Sequence, residues 1–391
     1  MTAFAQLRAL PRPFWVLVGA TFVNRFGLFV IPFLTVFVTR QGNTAAQAGW
    51  CLAAYSLGSF CAGGVGGFLS DRLSRKITLA IASFGGAICM LILSQTTHWQ
   101  PLAIAAFFTG LLTDTAHAPL NALVQDLTTP EQRVTAFAVQ RFAINLGWSI
   151  GPAVAGWLAE TSFFGLFIID AVTSVVFGII VLIALPHGNR TQRHLAGWGH
   201  AWQSIRRNRP FLALFFACIC VSWFFRQSTT TYVLHFETSG HALHWSGIIL
   251  ALNGLMICAL EIPLTFLTTR FPIRRVLALG YIGMASSYLI LLADDSLRAF
   301  TLTMVVFTLG EMCAFSRQQA YAASLAPDDM RGRYSGFLGF AWSGGSILAG
   351  LLSLQLYHLS PAAIWITTAA LGLIAAAAIL VWGREEPTAP L

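Results

Sequence analysis

The stretch Gly66-Gly67-Phe68-Leu69-Ser70-Asp71-Arg72-Leu73-Ser74-Arg75-Lys76 is a charged turn between two apolar runs, each long enough to cross a bilayer. One acid and three cations follow a glycine-dense helix end, in a turn too short to carry a domain. Such a turn predicts two membrane helices held in a defined relation.

Composition agrees. Of 391 residues, 56% are hydrophobic and 10% charged, with a mean hydropathy of +0.70, whereas a soluble domain is about 25% charged. A spanning helix needs about 20 apolar residues, and about twelve runs qualify. They cover roughly 14–38, 48–69, 77–95, 101–124, 136–159, 163–185, 211–235, 243–268, 276–293, 299–324, 334–355 and 361–382. The fold predicted is an all-α integral membrane protein with twelve transmembrane helices in two six-helix bundles.

The net charge of +8 does not predict nucleic-acid binding, because the cations alternate between loops instead of lining one face. With the N-terminus inside, every loop cation except Arg40 and Arg298 falls on the cytoplasmic side. This asymmetry predicts a multi-pass protein of the inner (cytoplasmic) membrane with both termini in the cytoplasm. The first apolar run is too long for a signal peptide and lacks a clear cleavage site, so it reads as a span. Seven cysteines lie scattered, nearly all inside apolar runs and without a CxxC, which predicts neither a disulfide nor a metal site.

The longest hydrophilic break, Pro186 to Pro210, carries five arginines and divides the spans six and six. It predicts an N-terminal bundle over 1–185, a cytoplasmic linker over 186–210 and a C-terminal bundle over 211–391. The bundles repeat: Asp126-Leu127-Thr128-Thr129-Pro130-Glu131-Gln132-Arg133 after the fourth span parallels Pro327-Asp328-Asp329-Met330-Arg331-Gly332-Arg333 after the tenth. The counterpart of the opening stretch, Arg270 to Arg275, keeps arginines but has no acid.

The opening stretch resembles the signature loop of the major facilitator superfamily, on the match of Gly67, Asp71, Arg72, Arg75 and Lys76. Ser74 stands where that family usually has glycine, which puts a tight left-handed turn there in question. In the fifth span, Asn145-Leu146-Gly147-Trp148-Ser149-Ile150-Gly151-Pro152-Ala153-Val154-Ala155-Gly156 resembles the pattern of the drug and proton antiporters of the superfamily, with Ala155 replacing one glycine. The resemblance implies two bundles that rock about a central site, a latch formed by Asp71 and Arg72, and a helix kink at Gly147, Gly151, Pro152 and Gly156. Ordinary small-residue packing accounts for the glycines too, and topology alone accounts for Arg75 and Lys76. Glycines in the second and eleventh spans predict smooth helix faces.

The chemistry is expected among charges at membrane depth, each of which must be paired, solvated or in use. These are Arg25, Asp114, Arg141, Asp170, Arg226, Glu261, Glu311 and Arg317. Glu311, following Gly310, is the leading proton carrier and Asp114, with His117 on the same helix face, the second. A structural ion pair with an arginine is the competing account of each carboxylate. Arg25 and Arg226, near the middles of the equivalent first and seventh spans, predict a substrate site with Asp114 and Glu311 for an anionic or zwitterionic solute. Arg141, Glu261 and Arg317 are expected as gate or structural ion pairs. Aromatics such as Trp15, Phe22, Phe26, Trp148, Trp223, Phe224, Phe225, Tyr232, Tyr334 and Trp342 are candidates for a cavity wall. His235, His241 and His244 are expected as solvated loop residues, with a fortuitous metal site as the other account.

The function expected is a proton-coupled secondary transporter exporting an amphipathic small molecule by alternating access. The alternative is an uptake symporter for an anionic solute. No P-loop, nucleophile and base, or metal cluster stands out, so neither an ATP-driven pump nor an enzyme is expected, nor any cofactor. Substrate, protons and the bilayer are the partners, and nothing requires more than a monomer.

Overall fold

In the computed structural model the described residues are 7–8, 10–28, 30–129, 132–186, 198–327 and 330–384; the side chains of Asp71, Val134, 198–201, Ile262, Phe266, Ser316, Ala323, Arg331 and Gly332 lie outside that description. All regular structure among them is helix. Eleven helical segments are long and apolar enough to cross a membrane. They match eleven of the twelve runs of the sequence. The fourth run instead forms two helices, Trp99–Thr115 and His117–Leu127, and neither piece alone is long enough.

The break has a local cause. Pro119 is the third residue of the second piece and lacks the N–H that would bond the Thr115 carbonyl. The Ala116 amide turns back to Thr113 instead, at 3.4 Å, in a tighter turn. The first span is interrupted in the same manner, between Arg12–Phe26 and Val30–Arg40, with Pro32 again third in the second piece. In the seventh span no proline is involved. Arg209–Thr229 and Thr231–Thr238 meet at Thr230, where the hydroxyls of Thr229 and Thr230 both donate to the Arg226 carbonyl, at 3.3 and 2.7 Å. Hydroxyls bonded back to the helix compete with its ladder. The tenth span, Leu297–Leu325, is unbroken.

Two compact units emerge, one of Met1–Arg193 with Ala242–Gly254, the other of His194–His241 with Leu255–Leu391. In the first unit, one cluster of the core joins Phe14, Leu17, Leu79, Leu123, Phe177 and Val181 from four spans. In the second, Trp365, Tyr232, Tyr281 and Tyr288 are fully buried, and the Tyr288 and Trp365 rings stack 5.3 Å apart. The buried hydroxyls find partners: Tyr232 donates to the Phe300 carbonyl and Tyr288 to that of Phe224, both at 2.9 Å, and Tyr281 to Gln318 Oε1 at 3.0 Å. Burying those rings therefore leaves no phenol unsatisfied.

Helix ends carry local caps. Ser296 caps the tenth span through the Ala299 amide at 3.3 Å, and Asp294 in the preceding loop accepts from both the amide and the hydroxyl of Ser296. These two donors hold the Asp294 carboxyl below the ordinary carboxylate range. At the charged turn, Ser74 adopts φ 152° and ψ 161°, the sole positive φ of a non-glycine among the described residues. The superfamily-like glycine position therefore keeps a glycine-type backbone although it holds serine. Its hydroxyl accepts from the Ile77 amide at 3.2 Å and caps the next helix.

Candidate substrate and proton site

Three spans break into two α-helices, and each of these carries an ionisable residue just before its break: Arg25 two residues before Gly27, Asp114 two before Ala116, and Arg226 four before Thr230. A broken helix within a membrane is tolerated where protein or a polar cavity satisfies its freed groups, and such breaks mark ion and substrate sites.

In the first unit the structure brings Arg25 and Asp114 into one group. The Asp114 carboxylate accepts from the Ser59 hydroxyl and lies 3.5 Å from His117 Nε2. On the other side of the imidazole, Arg25 Nη2 lies 3.5 Å from His117 Nδ1. A guanidinium only donates, so Nδ1 must be the acceptor and the imidazole proton must sit on Nε2, facing Asp114. A proton added at Nδ1 would set two donors against each other and expel Arg25. His117 is 53% exposed and Asp114 19%, so the ring is open while the carboxylate is mostly covered.

Ser59 was missed by charge counting, yet the sequence held a signal in Gly58 and Gly110. A Cβ on Gly58 would stand 2.8 Å from the Leu111 amide, and one on Gly110 would stand 3.1 Å from that of Ser59. The second and fourth spans thus cross backbone to backbone. The crossing puts Ser59, next to one glycine, within reach of Asp114, one turn beyond the other. Arg25 is fixed from a third span, because Gly147 lies against its backbone: a Cβ there would be 2.8 Å from Arg25 Cβ and 2.9 Å from the Phe26 amide. Gly156 of the same motif lies against Leu243 and His244 at the start of the eighth span. Pro152 lies within the helix Arg133–Thr161, and Gly151 is buried in it.

In the second unit Arg226 Nη2 reaches the Ser346 hydroxyl at 3.4 Å, and Ser346 pairs with Ser222 at 2.9 Å. Phe225 sits among Phe307, Phe315 and Trp342, with ring centres 5.6 to 6.4 Å from its own. Phe315 extends the expected aromatic wall, whereas Phe307 is packed behind it at 1% exposure. Four other candidates for that wall do not belong to it: Trp223, Phe224, Tyr232 and Tyr334 are packed to within 5% exposure. Glu311 is 6% exposed and within electrostatic reach of Tyr288. Gly310 serves packing, since its Cβ would meet the Met284 amide at 2.6 Å, which brings the tenth helix onto the ninth.

The remaining charges differ in burial. Arg141 is exposed, Glu261 and Arg317 are half-buried, and Asp170 is buried. Arg75 is 9% exposed and closes onto Asp126 at the end of the fourth span, so it is more than a topology charge. Arg72 lies over the Phe68 ring at 4.5 Å, Lys76 is half-buried, and the Asp71 side chain lies outside the described residues. Gly67 has nothing within 4 Å of its would-be Cβ. Two of the three histidines meet at Asp295. His235 is buried between Asp295 (2.9 Å) and Tyr357 (3.0 Å), and His241 reaches the Asp295 carbonyl at 2.6 Å. His244 stacks on Trp157 and bonds Glu160 at 2.9 Å in the other unit. The expectation of solvated loop histidines therefore fails for His235, which aromatic neighbours enclose.

The family model and the sequence relatives agree on one family, and solved structures share the fold. The model of the Major Facilitator Superfamily matches residues 17–260 and 231–391. An uncharacterized transporter of that type, YqjV of Bacillus subtilis (strain 168), is 24% identical over 345 residues, covering 86% of this chain and 84% of its own length. A Na(+), Li(+), K(+)/H(+) antiporter of Planococcus maritimus is 25% identical over 408 residues, covering 88% and 95%. The nucleoside transporter NupG has the same fold, with a TM-score of 0.81 at 15% identity over 94% of this chain and all of its own. With a polytopic helical fold, charges at helix breaks and a family match along nearly its whole length, the chain belongs to the Major Facilitator Superfamily of membrane transporters.

Proposed function

We propose that the protein is a proton-coupled exporter of an amphipathic zwitterionic or anionic small molecule, working by alternating access of its two bundles across the cytoplasmic membrane. The single observation that carries the coupling is the bridge Arg25–His117–Asp114. In this reading a zwitterion places its anionic end on Arg25 and its ammonium on Asp114. A proton on His117 turns the ring into a cation that pairs with Asp114 and withdraws the carboxylate from the substrate. Proton and substrate then exclude one another, which is the requirement for antiport. Similarity to an antiporter of Planococcus maritimus supports this direction. Arg226 and Glu311 supply the corresponding charges of the second bundle.

The loop arginines support cytoplasmic termini, and the bundle boundaries near 185 and 211 with a linker between them belong to the same reading. Asp71 and Arg72 act as the latch, the Gly147–Gly156 stretch as the bend of the fifth span, and Arg141, Glu261 and Arg317 as gate charges. The working unit is a monomer.

One observation favours a second reading. A proton at Nδ1 also frees Arg25, so an anion without an ammonium group would bind better once the ring is protonated, as a symporter requires. Proton exchange on adding candidate solutes to detergent-purified protein separates the two. Proton release on binding a zwitterion, lost in Asp114→Asn, supports antiport; proton uptake on binding an anion supports symport. Release lost in Glu311→Gln alone moves the coupling site to the second bundle, and no exchange with any bound solute defeats both readings.

A further inference from the structure

A groove in the second unit runs between the start of the seventh span and the end of the twelfth, lined by Arg209, Leu212, Ala213, Phe216, Ala378 and Trp382. Leu212, Ala213 and Phe216 follow Arg209 at three, four and seven residues, so they share one helix face with it. Arg209 opens the helix Arg209–Thr229 and Trp382 closes the helix Pro361–Trp382. Cation and indole thus mark one end of the groove, and its length beyond them is hydrocarbon.

That end has the character of a membrane interface. Tryptophan concentrates at headgroup depth, and Trp382 is 57% exposed. The preceding short helix, Trp198–Arg207, carries a second exposed indole, Trp202, with Arg206 over its ring at 5.8 Å. Leu212 and Phe216 are about two-fifths exposed, which suits acyl chains. Arg206 and Arg207 precede Arg209 with Asn208 between, and none of the six lining residues is acidic. A choline headgroup would bring its own cation into this basic cluster, whereas an anionic headgroup complements it.

We propose that the groove is a site for one anionic phospholipid of the surrounding bilayer, its phosphate against Arg209 and an acyl chain along Leu212, Phe216 and Ala378. The site does not depend on what the protein transports or in which direction.

The test is native mass spectrometry of the full chain released from nanodiscs of equal phosphatidylglycerol and phosphatidylcholine, counting retained lipid of each kind. The parent should retain one phosphatidylglycerol with about a fivefold preference, the size expected of one basic residue near an anionic headgroup. Arg209→Gln should abolish the preference, and Leu212→Trp, which fills the groove from its exposed side, should lower retention of the lipid. Arg206→Gln, outside the groove, should weaken the preference much less than Arg209→Gln and leave the fit of the acyl chain unchanged. Equal retention of the two lipids by the parent overturns the proposal. So does an equal loss in Arg206→Gln and Arg209→Gln, which would mean a diffuse charge effect. Inorganic phosphate that displaces the retained lipid would show that the groove contributes nothing, and would also overturn it.

Discussion

Gly147 lies so close to Arg25 that a Cβ on the glycine would stand 2.8 Å from the arginine's own Cβ. The glycine motif of the fifth span and the cation of the first are therefore one structural feature. Because the Phe26 amide is also 2.9 Å away, the clash cannot be relieved by turning a side chain.

Gly147→Leu should displace the first span and its guanidinium together. The expected cost is about 1 to 3 kcal/mol, typical of overpacking a close contact, read as a lower melting temperature in detergent, with transport lost. An unchanged melting temperature would show that the spans separate freely at this point.

Ser59→Ala removes the hydroxyl that donates to the Asp114 carboxylate. A hydrogen bond to a charged group contributes about 1.5 to 3 kcal/mol. Ser59→Ala and Asp114→Asn share one interaction, so their double variant should be less destabilised than the sum of the singles. Additive losses in chemical denaturation would show that the two groups do not interact.

The backbone of Ser74 predicts opposite outcomes for two small replacements. Glycine removes strain of about 1 to 3 kcal/mol while giving up only a few tenths as a helix cap, so Ser74→Gly should be stabilising. Ser74→Ala keeps the strained φ and loses the hydroxyl that caps Ile77, so it should be destabilising by about 1 kcal/mol. A pair of thermal melts decides between this and an ordinary cap, for which both changes would be unfavourable.

Arg75 and Asp126 are both largely buried, at 10% and 15% side-chain exposure. Removing either partner of a buried pair should cost about 3 to 5 kcal/mol, whereas removing both recovers much of that loss. Lys76→Gln, at a half-buried position, should stay within about 0.5 kcal/mol. If Arg75→Ala alters only membrane orientation, measured by accessibility labelling of the loops, and leaves stability intact, the pair is no structural tie.

Asp294 titrates below its ordinary value because Ser296 donates to it. A depressed carboxyl contributes its stability above the unfolded value and loses it as the pH falls through the lowered folded value. Ser296→Ala should raise the Asp294 titration midpoint and shift that acid-side loss to higher pH. Carboxyl-selective NMR of labelled protein reads the midpoint directly.

The sequence by itself determined that the chain is a membrane helical bundle, because apolar run length and loop charge depend on local composition alone. It also located most of the chemistry, since an arginine or aspartate within a span is conspicuous wherever it lies. Even the superfamily-like turn was legible, down to the odd serine at position 74. Tertiary structure decided which charges meet. Asp114 has Ser59 and His117 because two glycines let the second and fourth spans touch, and Arg75 is buried because Asp126 lies beside it. It also put His235 between Asp295 and Tyr357, inside aromatic neighbours. Such meetings depend on how helices cross, and a crossing is set by pairs of small residues far apart in the chain, whose partners no single run of sequence names.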